Sequence, residues 1–294
     1  MIKISNLRKT FRRVPVLDDL ALEIGVGERV ALIGSNGAGK TSLIRCLLGE
    51  YVHEGSVTIG GREPRRHRQE VLRRIGFVPQ LPPPLAMPVA QLIAYSASLC
   101  ATSSERIAGV ASRLGLDVRA CATQPFLRLS GGMKQKLLIA IALGRDTDLL
   151  FMDEPAANLD PAARGGLFEL LAEREQQTTM IISSHRLNEV AALVTRVVEL
   201  DLGKVTLDER TGNSDSLRTM LDCRVVARER DPSLLALLIA WRFTEVGSNE
   251  PDFEWRGRIA AADRLRFLGA ITPYASATRS ISVDEAAVAG AVHA

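Results

Sequence analysis

Residues Gly34-Ser35-Asn36-Gly37-Ala38-Gly39-Lys40-Thr41 match the pattern G-x-x-x-x-G-K-[ST]. The pattern works in one structural context only, with a strand delivering the chain into the loop and a helix leaving it. Both are present: Arg29-Val30-Ala31-Leu32-Ile33 is a short apolar run, and Ser42 to Leu48 has helical spacing. Glycines there permit positive φ and let the backbone approach phosphate oxygens closely. Successive backbone N–H groups and the positive end of the helix then cradle an anion. Lys40 is expected to pair with the β- and γ-phosphates and the Thr41 hydroxyl to ligate Mg²⁺, so Gly34 through Ser42 form the expected nucleotide-binding set. The plainer alternative is a glycine-rich turn with an incidental lysine, which the strand–turn–helix context disfavours.

Two further apolar runs, Asp148 to Asp153 and Thr178 to Ser184, lack alternation and suit strands covered on both faces of a parallel α/β sheet. The first ends in Asp153 and Glu154, where side chains project from the strand end toward bound ligand. Asp153 can hold Mg²⁺ through its water shell, and Glu154 can polarise an attacking water. Two adjacent acids alone more often mark a solvated turn. Beside a phosphate loop they point to ATP or GTP hydrolysis. Arg65 to Leu129 reads as mostly helical, broken by Pro82-Pro83-Pro84 and Pro88.

Other classes are disfavoured by the bulk properties. The chain has 294 residues, enough for a main domain and a smaller one, and its 46% hydrophobic and 24% charged content is that of a globular protein. A net charge of +3 disfavours a whole-chain nucleic-acid binder, so no nucleic-acid partner is expected. Cys46, Cys100, Cys121 and Cys223 form no CxxC pair, which leaves buried or half-buried thiols in a reducing cytosol as the reading. Met1 to Asn6 alternates like a strand rather than a signal peptide. No apolar stretch approaches the roughly 20 residues of a membrane span.

A boundary falls near Thr206 to Ser216, giving a nucleotide-binding domain at 1–205, a linker at 206–221 and a small α+β domain at 222–294. Within the last, Cys223 to Arg230 reads as a strand, and Asp231-Pro232 starts a helix through Trp241. Phe243 to Val246 and Phe253 to Arg258 read as a hairpin around Gly247-Ser248-Asn249. Ala260 to Leu268 reads as helix, Ile271 to Ser280 as strand, and Ser282 with Glu285 as the capping box of a last helix. The order βαββαβ fits a ferredoxin-like module.

Leu129-Ser130-Gly131-Gly132-Met133-Lys134-Gln135-Lys136 resembles the LSGGQ-type signature of ABC ATPases, with Met133-Lys134-Gln135 in a variant form common among exporters. Chemically, a serine and two glycines before a helix offer a hydroxyl, free N–H groups and a helix dipole to an anion. Gln80 in Gly76-Phe77-Val78-Pro79-Gln80 resembles the Q-loop glutamine, a Mg²⁺ and water contact. Asn158-Leu159-Asp160-Pro161 resembles the D-loop, although Ala156-Ala157-Asn158 replaces the frequent Thr-Ser-Gly. His185 resembles the switch histidine, and Phe11 takes the place of the adenine-stacking aromatic, where tyrosine is usual.

The resemblance covers residues 1 to about 205 and implies an α/β P-loop NTPase of the ABC cassette type. Such a cassette has a RecA-like core, a helical signature subdomain and an antiparallel β part. It implies catalytic roles for Glu154, His185 and Gln80, metal contacts from Thr41, Gln80 and Asp153, and ATP with Mg²⁺ as ligands. Leu129 through Gln135 would contact ATP held by a second cassette, in a homodimer or with a related partner, and Asp160 would lie in the D-loop. A separate transmembrane permease subunit would receive the work at the inner face of the cell membrane, with residues from Gln80 through Ser98 forming its docking groove. The tail Ser280-Ile281-Ser282-Val283-Asp284-Glu285-Ala286 is similar to that of drug-resistance-type exporter ATPases, a class including the ATPase of nitrous oxide reductase maturation, although of the class's closing Ser-Leu-Glu-Asp-x-Phe only the serine, an aliphatic residue and two acids are kept. Its module is expected to brace the dimer passively. An importer ATPase and a non-transport ABC ATPase on a soluble macromolecular partner are the alternatives; a purely regulatory cassette is disfavoured by intact Lys40, Asp153, Glu154 and His185.

Overall fold

The computed structural model describes residues 1–174, 177–185, 187–190, 193–210, 220–249, 252–260, 267, 270–271, 274 and 277–285. The chain divides into two compact units, residues 1–210 and 211–294.

In the first unit the apolar runs form the interior of a six-stranded sheet. Its order is β5 (Ile75–Val78), β6 (Leu149–Asp153), β7 (Thr179–Ser183), β3 (Arg29–Ile33), β8 (Arg196–Asp201) and β9 (Lys204–Arg210). All neighbours run parallel except the β8–β9 hairpin. Strands β6 and β7 are buried at every position, which is why their sequences show no alternation. A second, antiparallel sheet has the order β2 (Val14–Ile24), β1 (Ile2–Phe11), β4 (Glu54–Ile59). One apolar core joins Ile2, Ile4 and Leu20 of that sheet to Leu43 and Ile44 of α1 (Lys40–Leu47) and to Phe151 and Leu200 of the large sheet.

A short helix α2 (Arg68–Arg73) leads into β5. A separate helical cluster holds α3 (Val89–Leu99), α4 (Ser104–Arg113), a 3₁₀ turn at Phe126–Arg128 and α5 (Gly131–Leu143), packed around Phe126 and Leu137. Helices α6 (Pro161–Ala172) and α7 (Leu187–Val190) follow the strands β6 and β7. Proline at the first position of α6 and Asp160 as its cap, accepting from Ala163 N at 2.8 Å, fix where that helix begins.

Two readings of this unit change. Ile75–Val78 lies inside the stretch expected to be helical, yet it is an edge strand. Four apolar residues carry no period of their own, and Gly76 decides the matter: a Cβ there would stand 2.7 Å from Leu150 Cδ2 and 2.9 Å from the Ala142 carbonyl oxygen. Thr206–Arg210, expected in the linker, belong to β9, whose exposed, alternating face resembles a polar connection in sequence.

The second unit forms an antiparallel sheet of order β11 (Thr244–Asn249), β12 (Asp252–Ala260), β10 (Met220–Ala227), β13 (Thr278–Glu285), with α8 (Pro232–Ala240) capped by Asp231. That order is the split βαβ arrangement expected of a ferredoxin-like module. Its own core gathers Val225, Leu238, Trp255 and Phe267. The expected hairpin turn is displaced, since Gly247-Ser248-Asn249 lie within β11. Ile271 is helical rather than strand, and Ser282 and Glu285 lie in β13 instead of capping a helix. Pairing with β10, from Leu221↔Glu285 to Ala227↔Thr278, overrides the local capping signal. Most of the helix expected at 260–268 lies outside the described residues, and so does anything after 285.

Candidate active site

The phosphate loop leaves β3 at Gly34 and enters α1 at Lys40. Gly34 has φ 144° and Gly39 φ 106°, and at both a Cβ would collide with backbone: 2.2 Å from the Leu200 carbonyl oxygen and 2.8 Å from that of Val16. Gly37, at φ 87°, has nothing within 4 Å of a Cβ position, so the loop is packed at its ends and open in the middle. From behind, the β8–β9 turn supports it, with Gly203 N donating to the Ala38 carbonyl at 3.1 Å. Lys40 is buried, with Nζ donating to the carbonyls of Gly34 at 2.7 Å and Ser35 at 3.1 Å. Burial lowers its pKa, opposed by the negative charges of Glu154 and Asp153. A desolvated ammonium facing two carboxylates is chemically suited to a phosphate chain.

Asp153 and Ser183 end neighbouring strands and stand opposite each other in register. The Ser183 hydroxyl donates to Asp153 Oδ1 at 2.6 Å and accepts from the Glu154 N–H at 2.9 Å. Glu154 has φ 48°, a left-handed conformation that turns the chain as it leaves β6. Its Oε2 lies 2.7 Å from Nδ1 of the half-exposed His185, which donates when the carboxylate is ionised.

One cleft of about 290 Å³ is lined by the loop residues Ser35 through Ser42 together with Val16, Gln80, Asp153 and Glu154. Three segments singled out in the sequence, the loop, Gln80 and the Asp153–Glu154 pair, are brought together there with Val16. The Thr41 hydroxyl, the Asp153 carboxylate and the Gln80 amide are hard oxygen donors on one cleft, a donor set that fits Mg²⁺. His185 lines a second cavity of about 190 Å³, together with Arg164 and Phe168, and Glu154 lines both. Glu154 is thus the residue shared between the cleft and the switch-histidine side.

The signature segment divides. Ser130 caps α5, accepting from Met133 N at 3.2 Å, and Ser130 and Gly131 are exposed while Gly132, Met133 and Lys134 are half-buried. Leu129 and Gln135 are inside, and Gln135 has 0% exposure with Nε2 donating to the Pro155 carbonyl at 3.2 Å. A side chain so placed does not reach a nucleotide held by a second chain; the 3.6-residue turn carries position 135 inward. Phe11 is not among the residues lining the cleft. Its ring packs edge-on against Tyr51 at 5.2 Å, with Lys9 Nζ 4.5 Å from its centroid. Val16 and Ser183 were missed by the sequence reading. For Val16 the sequence held no signal; for Ser183 the signal was a hydroxyl directly after the apolar run Met180-Ile181-Ile182.

The family model described as "ABC transporter" matches residues 17–157. The lantibiotic transport ATP-binding protein SrtF of Streptococcus pyogenes is 32% identical over 240 residues, covering 78% of this chain and 100% of that one. Nod factor export ATP-binding protein I of Ralstonia nicotianae is 32% identical, over 69% of this chain and 65% of its own. The aliphatic sulfonates import ATP-binding protein SsuB 1 of Nocardia farcinica is 33% identical, over 70% and 80%. A solved dimeric ATP-binding cassette in a post-hydrolysis state with ADP and Pi aligns with a TM-score of 0.63 at 24% identity, over 71% of this chain and 98% of that one, and shows the shared fold. The chain belongs to the ABC transporter family, as an ATP-binding cassette subunit.

Proposed function

We propose that this cassette hydrolyses ATP to ADP and phosphate and drives export through a separate transmembrane subunit. The observation that carries the reading is the convergence of Ser35–Ser42, Gln80, Asp153 and Glu154 on a single cleft. In the proposed mechanism the loop N–H groups and Lys40 hold the β- and γ-phosphates. Mg²⁺, when bound by Thr41 and Asp153 with Gln80 nearby, would neutralise phosphate charge. Glu154 accepts the proton of the attacking water as its oxygen bonds to the γ-phosphorus and ADP leaves. His185 orients Glu154 through their hydrogen bond. Ser130 to Gly132 of a second copy would close over the nucleotide, since Ser130 and Gly131 are exposed and outside their own chain's cleft.

Export is favoured by the export relative and by the similarity of the tail to drug-resistance-type ATPases. Import is the second reading, favoured by the sulfonate relative at comparable identity. The C-terminal unit is proposed as a brace for the dimer. The work would be delivered at the inner face of the cell membrane; among the described residues no helix is long and apolar enough to cross one.

The test is affinity purification of tagged Glu154→Gln protein with ATP from native membranes. That variant is expected to bind ATP and stall as a closed dimer, its turnover reduced about 10²- to 10⁴-fold, the usual scale for a lost general base. Recovery of a polytopic membrane protein supports transport, and the transport direction of that protein then decides between export and import. Normal turnover by Glu154→Gln would refute its role, and recovery of soluble partners alone would refute coupling to a membrane subunit.

A further inference from the structure

One face of α5 is docked on the loop that carries Glu154. Gly132, Gln135 and Lys136 are spaced i, i+3 and i+4, which places them on one side of the helix. A Cβ at Gly132 would stand 3.2 Å from the Asn158 carbonyl oxygen. Gln135 Nε2 donates to the Pro155 carbonyl at 3.2 Å, and Lys136 Nζ pairs with Asp160 Oδ2 at 2.7 Å. The same helix face thus touches the loop at its start, middle and end.

Neither long side chain is a solvated surface group. Lys136 is 14% exposed, and Gln135 is fully buried with Oε1 lacking a hydrogen-bond partner among the described residues. A half-satisfied buried amide is a feature an apolar residue of similar shape would remove. What the amide supplies here is a fixed carbonyl at Pro155, one residue after Glu154. Glu154 is already held on its other side by Ser183, in a left-handed conformation that needs support from both directions.

We infer that Gln135 and Lys136 are positioning residues of the hydrolytic site, clamping Pro155 and Asp160 so that the Glu154 carboxylate keeps its aim on the cleft. This rests on the hydrolytic role proposed for Glu154. The same helix carries the exposed Ser130 end at its N-terminus, so a ligand engaging that end acts on a helix already docked to Glu154's own loop.

The test uses the intact chain, with ATP binding measured separately from steady-state phosphate release. Asparagine caps a helix as aspartate does, so Asp160→Asn removes the ion pair and leaves the start of α6. Lys136→Met and Asp160→Asn should each lower kcat by roughly tenfold or more, the scale on which small misplacements of catalytic groups act. ATP affinity and KM should stay unchanged, the double variant should lose no more than either single one, and Lys136→Arg should recover most of the rate. Gln135→Leu, read as kcat per bound ATP so that any unfolded fraction drops out, should show the same loss. Unchanged kcat in Lys136→Met, or an equal loss in Lys136→Arg, overturns the clamp alone. A wild-type chain that binds ATP without turnover overturns both the clamp and the role of Glu154.

Discussion

Glu154 is held by contacts that reach it from distant parts of the chain. Its left-handed backbone costs about 1–3 kcal/mol in a residue with a side chain, and the hydroxyl of Ser183 offsets that cost by accepting the Glu154 N–H. The same hydroxyl donates to Asp153, which is 2% exposed. Ser183→Ala therefore leaves a buried carboxylate one donor short and a backbone N–H without its acceptor. We expect a stability loss of about 1–3 kcal/mol, the cost of unsatisfied buried groups, and a fall in kcat larger than the fall in ATP affinity. Urea unfolding and single-turnover phosphate release check the two effects; a variant as stable and as fast as wild type would dismiss the serine as filler. Motif spacing identified Asp153 and Glu154 because their chemistry is written in adjacent positions. Ser183, Val16 and Lys136 act across sheet register or helix docking, and one sequence holds no record of which strand ends become neighbours.

Between elements, Arg196 of β8 ties the two sheets' flanks together. Its guanidinium donates to both oxygens of Asp208 in β9, at 2.6 and 2.7 Å, to Glu28 at 2.7 Å, and to the Glu23 carbonyl of β2 at 2.7 Å. Arg196 is 8% exposed and Glu28 17%, whereas Asp208 is 37% exposed and Glu28 keeps Arg210 as a second cation. Arg196→Met should cost about 1.5–3 kcal/mol, the scale of lost hydrogen bonds to charged groups, with the Asp208 arm discounted for solvent. Burial pushes the Glu28 carboxyl up, but the Gly25 N–H, Arg196 and Arg210 outweigh it and hold the group below its ordinary value. A folded pKa below the unfolded one stabilises the protein above the unfolded pKa, and that contribution is lost as pH falls through the folded value. The stability gap between wild type and Glu28→Gln should accordingly be full at neutral pH and close in acid; a gap that widens on acidification would contradict the assigned direction. This cluster also explains why β9 was misread. Its charged residues look like a linker until Arg196 and the register with β8 give them partners. The same holds for β13, where Ile281 and Val283 alternate with polar residues and become a strand only against β10. The buried parallel strands β3, β6 and β7 were legible because their middles are uniformly apolar, whereas edge strands depend on neighbours that the local sequence does not name.

At the scale of the whole molecule, each unit has apolar clusters of its own. Among the described residues, the clusters around Phe151 and Phe126 draw on residues before 211, and the cluster around Trp255 on residues after 220. The phosphate loop, Gln80 and both acids belong to the first set. Ligand stabilisation follows the unit that binds, by an amount set by ligand concentration relative to Kd. Heating should therefore give two transitions in calorimetry, and Mg·ATP at a hundred times Kd should stabilise one of them by about 2.7 kcal/mol. Glu154→Gln is the form to use, because it keeps ATP intact during the scan. If residues 211–294 brace a second copy, the other transition should also rise with protein concentration when ATP is present, since dimer formation then stabilises that unit by mass action. A second transition indifferent to both ATP and concentration would refute the brace and leave the unit independent of nucleotide-driven assembly. A single transition shifting as one would mean that the two units unfold as one cooperative body.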